Sequence, residues 1–127
     1  MIINCGMIYY CYMREPMNTS EIFEELFRVI QERKAASPET SYVAKLMDRG
    51  VEKINSKIME EARETCEAGI ENNSDHLVHE ICDLLFHTFV LAGYRNITID
   101  DITGELEKRF GTSGLVEKAR RKENDPA

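Results

Sequence analysis

The chain has no basic surplus. Its 127 residues carry 16 Lys and Arg against 23 Asp and Glu, a formal net charge of −7. That balance argues against a nucleic-acid binder working through a basic face. Metal-finger patterns are missing too. The four cysteines Cys5, Cys11, Cys66 and Cys82 form no C-x-x-C pair, and no His lies at zinc-finger spacing from two of them. A disulfide framework is not expected, and reduced cytosolic thiols are the default. Cys66 and Cys82 fall in helical patterns, where a buried Cys acts as a small hydrophobe. Residues 1–13 are mostly apolar and uncharged up to Arg14. The stretch lacks the basic start of a signal peptide and is too short for a membrane span. We read 1–17 as a non-core extension, from a translation start placed too early, or as an edge strand or arm against a partner subunit. No internal repeat, low-complexity tract or convincing core strand is found.

What is there reads as one helical domain. At 43% hydrophobic and 31% charged, the chain has the make-up of a globular protein. Asn18 with Glu21 forms a capping box ahead of Ile22, Leu26, Val29 and Ile30 at helical spacing. That helix fades near Ala35-Ala36, before Ser37-Pro38. A short helix follows to Asp48, then a break at Gly50. A long helix is expected from Val51 to Glu71, ended by Asn72-Asn73, with Ser74 as the next cap. Residues 75–92 are the most apolar segment, a buried central helix stopped at Gly93. Thr98 with Asp101 opens a helix to about Phe110, and a basic tail with Lys118, Arg120, Arg121 and Lys122 frays from Asn124. The expectation is an all-α domain over 18–122 with four to five helices.

Two acidic motifs stand out. The long third helix carries Glu60, Glu61 and Glu64 as E-E-x-x-E, and the fourth carries Glu80 and Asp83 as E-x-x-D. At about 100° per residue, Glu61 shares a face with Glu64, and Glu80 with Asp83. Fifteen residues separate Glu64 from Glu80, so the two helices form an antiparallel hairpin that can bring the acids together. Glu80 and Asp83 sit among Ile81, Leu84 and Leu85, which leaves them little access to bulk water. Converging carboxylates repel, and need protons or a cation to persist. An all-oxygen donor set suits Mg²⁺ or Mn²⁺. A di-iron bundle would want E-x-x-H, and Asp83 stands where that His would be. Lys45, Arg49, Lys53 and Lys57 precede the acids, as a polyphosphate ligand would require. Taken alone, E-E-x-x-E is commonly a solvated face, with Lys57 and Arg63 as ion-pair partners.

The segment Ser41-Tyr42-Val43-Ala44-Lys45-Leu46 followed by Gly50-Val51-Glu52-Lys53-Ile54 resembles the start of the phosphoribosyl-ATP pyrophosphatases. The likeness continues through Lys57, Glu60-Glu61-Ala62-x-Glu64, Glu80-x-x-Asp83-Leu84-Leu85-x-His87 and Arg109-Phe110-Gly111-x-Ser113-Gly114. It covers roughly residues 20–122. The paired acidic motifs mark the wider all-α, MazG-like nucleoside-triphosphate pyrophosphohydrolases, and S-Y-x-A-K-L with G-x-x-K-I points to the phosphoribosyl-ATP branch. Where the family often has a glycine before the paired glutamates, this chain has Met59. It also lacks the length and cysteine pattern of the cyclohydrolase half found fused to many relatives.

The resemblance implies hydrolysis of phosphoribosyl-ATP between its α and β phosphates, a step of histidine biosynthesis, in the cytoplasm. By motif, Glu61, Glu64, Glu80 and Asp83 would hold Mg²⁺, and Glu60 would orient or deprotonate the attacking water. Lys45, Lys53 and Lys57 would contact phosphates, with Ser41 and His87 as further substrate-binding candidates. It also implies a homo-oligomer, expected as a dimer, whose helices complete a bundle across subunits; the apolar surface expected on the first and fourth helices agrees. No nucleic-acid or membrane partner is expected. The competing readings are a housecleaning enzyme acting on nucleoside triphosphates, and a non-catalytic helical dimerisation module.

Overall fold

The computed structural model describes residues 15–111 and 114–125. The expectation for the N-terminal extension therefore falls mostly outside the described residues. Among the described residues, six helices follow in chain order: α1 Thr19–Lys34, α2 Tyr42–Asp48, α3 Val51–Glu71, α4 Ser74–Tyr94, α5 Ile99–Lys108 and α6 Gly114–Asn124. No strand occurs among the described residues, so the all-α class holds. The sixth helix is an addition: it forms where the sequence reading placed only a basic, fraying tail.

Capping chemistry sets the boundaries. Asn18 Oδ1 accepts from the Glu21 amide at 3.0 Å, and Glu21 Oε2 accepts from the Asn18 amide at 2.9 Å. This is the reciprocal capping box read from the sequence. Gly50 precedes α3 at φ 85, a backbone conformation that disfavours any side chain. Asn72 closes α3 in the left-handed region at φ 55. Asn73, rather than Ser74, caps α4 by accepting from the His76 amide at 3.1 Å. The two long helices are thus joined by a two-residue turn.

Helix α4 does not stop at Gly93. It runs to Tyr94 and closes in a Schellman motif with Asn96 at φ 59. The Ile97 amide donates to Ala92 O at 2.9 Å, and the Asn96 amide to Gly93 O at 3.2 Å. Lys34 Nζ caps the same end, donating to Gly93 O at 2.9 Å and Asn96 Oδ1 at 2.8 Å. Gly93 is present for packing. A Cβ there would come within 2.9 Å of Ile30 Cγ2, so α1 and α4 approach where only hydrogen fits.

The core joins α1 to α4: Phe27, Ile30, Val43, Leu46, Ile54, Phe89, Val90 and Ala92. Phe89 stacks tilted on Phe27 at 4.7 Å and edge-on to Phe23 at 5.8 Å. Helix α4 is apolar enough by composition to cross a membrane, with mean hydropathy 1.2; here it is the central helix, packed on α1, α2 and α3. It is also less buried than its sequence implies. Val78, Ile81 and Leu85 are exposed, as are Met59 and Ile70 on α3. Cys66 and Cys82, expected as buried hydrophobes, lie on the surface. On α1, Phe27 and Ile30 are buried. The open apolar face therefore lies on α3 and α4: the expectation holds for the fourth helix, while α3 takes the place expected of α1, on which Ile22 alone of the large apolar side chains is exposed.

Helix α5 opens with the second expected capping box. The Thr98 amide donates to Asp101 Oδ2 at 2.8 Å, the Thr98 hydroxyl donates to the same oxygen at 2.9 Å, and the Asp101 amide donates back to Thr98 Oγ1 at 3.2 Å. The backbone bond from Thr98, then its hydroxyl, hold the Asp101 carboxyl below its ordinary range. A depressed carboxyl pKa stabilises the fold above the unfolded-state value, and that stabilisation disappears as pH falls through the folded-state value. The first-turn amides of α5 are therefore expected to lose exchange protection below about pH 4, ahead of α4. In Asp101→Asn this acid step should be absent from amide-exchange NMR.

Candidate metal and phosphate site

The acids come together in the middle of the α3–α4 hairpin. One carboxylate oxygen each from Glu61, Glu64 and Glu80 lie within 4.8 Å of one another. Glu61 and Glu80 are buried and Glu64 is half-buried. Asp83 is also buried, at 7% exposure. It stands at the edge of this trio, with Oδ2 3.3 Å from His79 Nε2. Thr65 ties the helices together at the cluster: its hydroxyl donates to Glu61 O at 2.7 Å and lies 3.2 Å from Glu80 O. The sequence reading passed over this residue, whose signal was only its place between two acid motifs.

Electrostatically the cluster is incomplete. Carboxylates no more than 4.8 Å apart repel by roughly 3 kcal/mol or more per pair at an effective dielectric of 20. Burial pushes the Glu61 carboxyl above its ordinary range; Lys57 opposes the rise, and Asp83 and Glu64 add to it. Glu80 Oε2 is buried with no hydrogen-bond partner. An orphaned buried carboxylate oxygen inside an all-oxygen donor set fits a hard divalent cation. Glu61, Glu64 and Glu80 could hold one directly, with Asp83 beside them.

Glu60 points elsewhere. Its Oε2 accepts from Lys57 Nζ at 2.7 Å, and that bond holds its carboxyl below the ordinary range. Lys57 Nζ also lies 3.5 Å from Glu61 Oε1, so it links the outer glutamate to the inner one. Lys53 is half-buried on the same helix and Lys45 is exposed on α2. Arg63 pairs with Glu67 at 2.7 Å and lies 3.7 Å from Glu64.

Two residues offered as substrate contacts are engaged within the protein. The Ser41 hydroxyl is the N-cap of α2, accepting from the Ala44 amide at 3.2 Å. His87, 1% exposed, has both ring nitrogens in use. Nδ1 lies 2.7 Å from Asp83 O and Nε2 lies 2.9 Å from Tyr42 Oη. A carbonyl only accepts, so Nδ1 carries the proton and Nε2 accepts from the Tyr42 hydroxyl. Burial lowers the His87 pKa, which favours this neutral form. Tyr42, like Thr65, is a residue the sequence reading missed. It faces His87 edge-on and stacks on Phe86 at 6.4 Å, and burial raises its phenol pKa, with Lys57, Glu61, Glu60 and Asp83 all close enough to act on it. It was visible only as the letter after Ser41 in the first motif.

Histidines also flank the acids on the turn side. His76 Nδ1 lies 2.9 Å from Glu71 Oε2 and its Nε2 3.0 Å from Glu80 Oε1. With a carboxylate at each nitrogen, the ring pKa is raised, first by Glu71 and then by Glu80.

Comparison with known proteins agrees with this geometry. Residues 23–110 match the family described as phosphoribosyl-ATP pyrophosphohydrolase. A protein of Trichlorobacter lovleyi named phosphoribosyl-ATP pyrophosphatase is 49% identical over 108 residues, covering 84% of this chain and 100% of that protein. Proteins of the same name from Hydrogenovibrio crunogenus and Geobacter metallireducens are 46% and 48% identical. They cover 84% and 80% of this chain, and 98% and 93% of their own lengths. With its fold, its paired acid motifs and these matches, the chain belongs to the phosphoribosyl-ATP pyrophosphohydrolase family.

Proposed function

We propose that the chain hydrolyses phosphoribosyl-ATP to phosphoribosyl-AMP and pyrophosphate with Mg²⁺ (or Mn²⁺) held by Glu61, Glu64, Glu80 and Asp83. The observation that carries the reading is the buried convergence of Glu61 and Glu80 with Glu64, which leaves Glu80 Oε2 without a partner. Water oxygen adds to the α phosphorus, the bridging oxygen to the β phosphorus leaves with pyrophosphate, and the water protons pass to solvent or to a carboxylate. When bound, the cation neutralises phosphate charge and acidifies water.

The chain's own residues do the rest. Lys57 and Lys53, one turn apart on α3, meet the phosphate charge at the rim, with Lys45 on α2 as the outer cation. Glu60 orients the attacking water. Its bond to Lys57 and lowered pKa make it a hydrogen-bond acceptor for that water rather than a strong proton acceptor. Ser41 and His87 act through the wall they build: Ser41 starts α2, and His87 fixes the Tyr42 hydroxyl beside the acids. A second copy of the chain covers Met59, Cys66 and Ile70 of α3 and Val78, Ile81 and Leu85 of α4, completing a four-helix bundle. Cys66 and Cys82, unpaired on the surface, are compatible with a cytoplasmic enzyme.

A side-by-side turnover assay tests the reading. Mg²⁺-dependent pyrophosphate release from phosphoribosyl-ATP, far above that from dNTPs, is the expected result. Fast release from dNTPs with none from phosphoribosyl-ATP would overturn it in favour of a housecleaning role.

A further inference from the structure

Among the acids of the cluster, Glu80 is held in a distinctive way. One oxygen, Oε1, takes His76 Nε2 at 3.0 Å, while Oε2 is buried and unpartnered. His76 is itself fixed at two points. Its ring Nδ1 meets Glu71 Oε2 at 2.9 Å, and its backbone amide donates to Asn73 Oδ1 at 3.1 Å. Glu71 is the last residue of α3, and His76 lies in the first turn of α4. The left-handed Asn72 between the helices brings them close enough for this link. His79 differs: it reaches Asp83 at 3.3 Å with a side chain 57% exposed.

We propose that the Glu71–His76 pair is a positioning device for Glu80. The ring N–H holds Oε1 toward the turn and so leaves Oε2 as the oxygen offered to the cation. The pair acts through Glu80 and needs no contact with substrate. A carboxylate whose orientation is set by a hydrogen-bonded neighbour binds metal more tightly, and removing such a neighbour typically costs about 10–100-fold in affinity. The inference rests on the reading of the acid cluster as a cation site. It adds that the hairpin turn is part of that site, though neither Glu71 nor His76 belongs to the acid motifs.

Mn²⁺ binding to the full chain, followed by calorimetry and by the electron paramagnetic resonance of free Mn²⁺, tests this without substrate. His76→Ala should weaken binding by about 10–100-fold. His76→Gln, whose carboxamide N–H can reach the same oxygen, should recover part of the loss. Glu71 is exposed, so Glu71→Ala should fold normally and provides a test should His76→Ala not fold. It should weaken Mn²⁺ binding less than His76→Ala does, and have no further effect in the His76→Ala background. Equal Mn²⁺ affinity in wild type, His76→Ala and Glu71→Ala would overturn the proposal while leaving the cation site standing. Fully additive losses would overturn the Glu71 link. Absence of Mn²⁺ binding by the wild type would remove the cation site itself, and the positioning role with it.

Discussion

Glu80→Gln is expected to lower kcat/KM for phosphoribosyl-ATP by about 10²–10³-fold, and to raise Tm in metal-free buffer. The two effects have one cause. Glu80 brings negative charge into a buried cluster with Glu61 and Glu64, all within 4.8 Å, and its Oε2 has no donor to offset the loss of water. A neutral amide of the same shape removes a repulsion of roughly 3 kcal/mol per neighbouring carboxylate. Each kcal/mol relieved raises Tm by about 4 °C for a chain of this size. The same change removes a ligand oxygen and weakens the charge stabilisation on which phosphoryl transfer depends, where single groups are typically worth about 10²–10³-fold in rate. Asp83→Asn should lose activity comparably but gain less stability, because Asp83 stands outside the trio of carboxylate oxygens that lie within 4.8 Å of one another. Steady-state kinetics with pyrophosphate detection, together with melts in EDTA and in excess Mg²⁺, give both quantities. Unchanged rates in both variants would sink the cation site. A fall in rate with a lower Tm would mean that the cluster is held by something other than a cation.

The second large effect is in the core. Ile30 is fully buried, and its Cγ2 lies where a Cβ on Gly93 would come to 2.9 Å. Ile30→Ala should cost about 2–5 kcal/mol through lost burial and the cavity left behind. Gly93→Ala should cost about 1–3 kcal/mol, because α1 and α4 must separate or Ile30 must leave its rotamer. The two should not add. Removing Cγ2 makes room for the Gly93 methyl, so the double variant is expected to be more stable than the sum of the singles predicts. Urea unfolding at constant m-value measures this. Strict additivity would mean that α1 and α4 do not meet at this pair.

Much of this was readable in the chain. The capping boxes Asn18–Glu21 and Thr98–Asp101 are local chemistry, complete within four residues, and both form as read. The hairpin follows from the short gap between Glu64 and Glu80, and the pairing of acids from helical periodicity alone. What was missed is tertiary. Gly93 looks like a terminator, yet α4 continues through it because α1 packs against the bare backbone and Lys34, 59 residues away, satisfies its carbonyl. The Tyr42–His87 bond spans 45 residues, and it turns a candidate substrate contact into part of the wall. Cys66 and Cys82 are apolar letters in apolar helices, and nothing local indicates that their face of the hairpin is left open. Glu60 and Glu61 are adjacent and identical, but one turns to Lys57 and the other inward. Neighbours on a helix point about 100° apart, and only the position of α4 decides which of them is inside.

Helix α4 is anchored at both ends, by Asn73 and His76 at the turn and by Lys34 with the Schellman motif at the far end. Beyond that far anchor, among the described residues, α5 approaches α1 and sets Ile99 and Ile102 against the core. Whatever α5 transmits to the acid hairpin therefore passes through α1 and the shared core, not through direct backbone contact with α3.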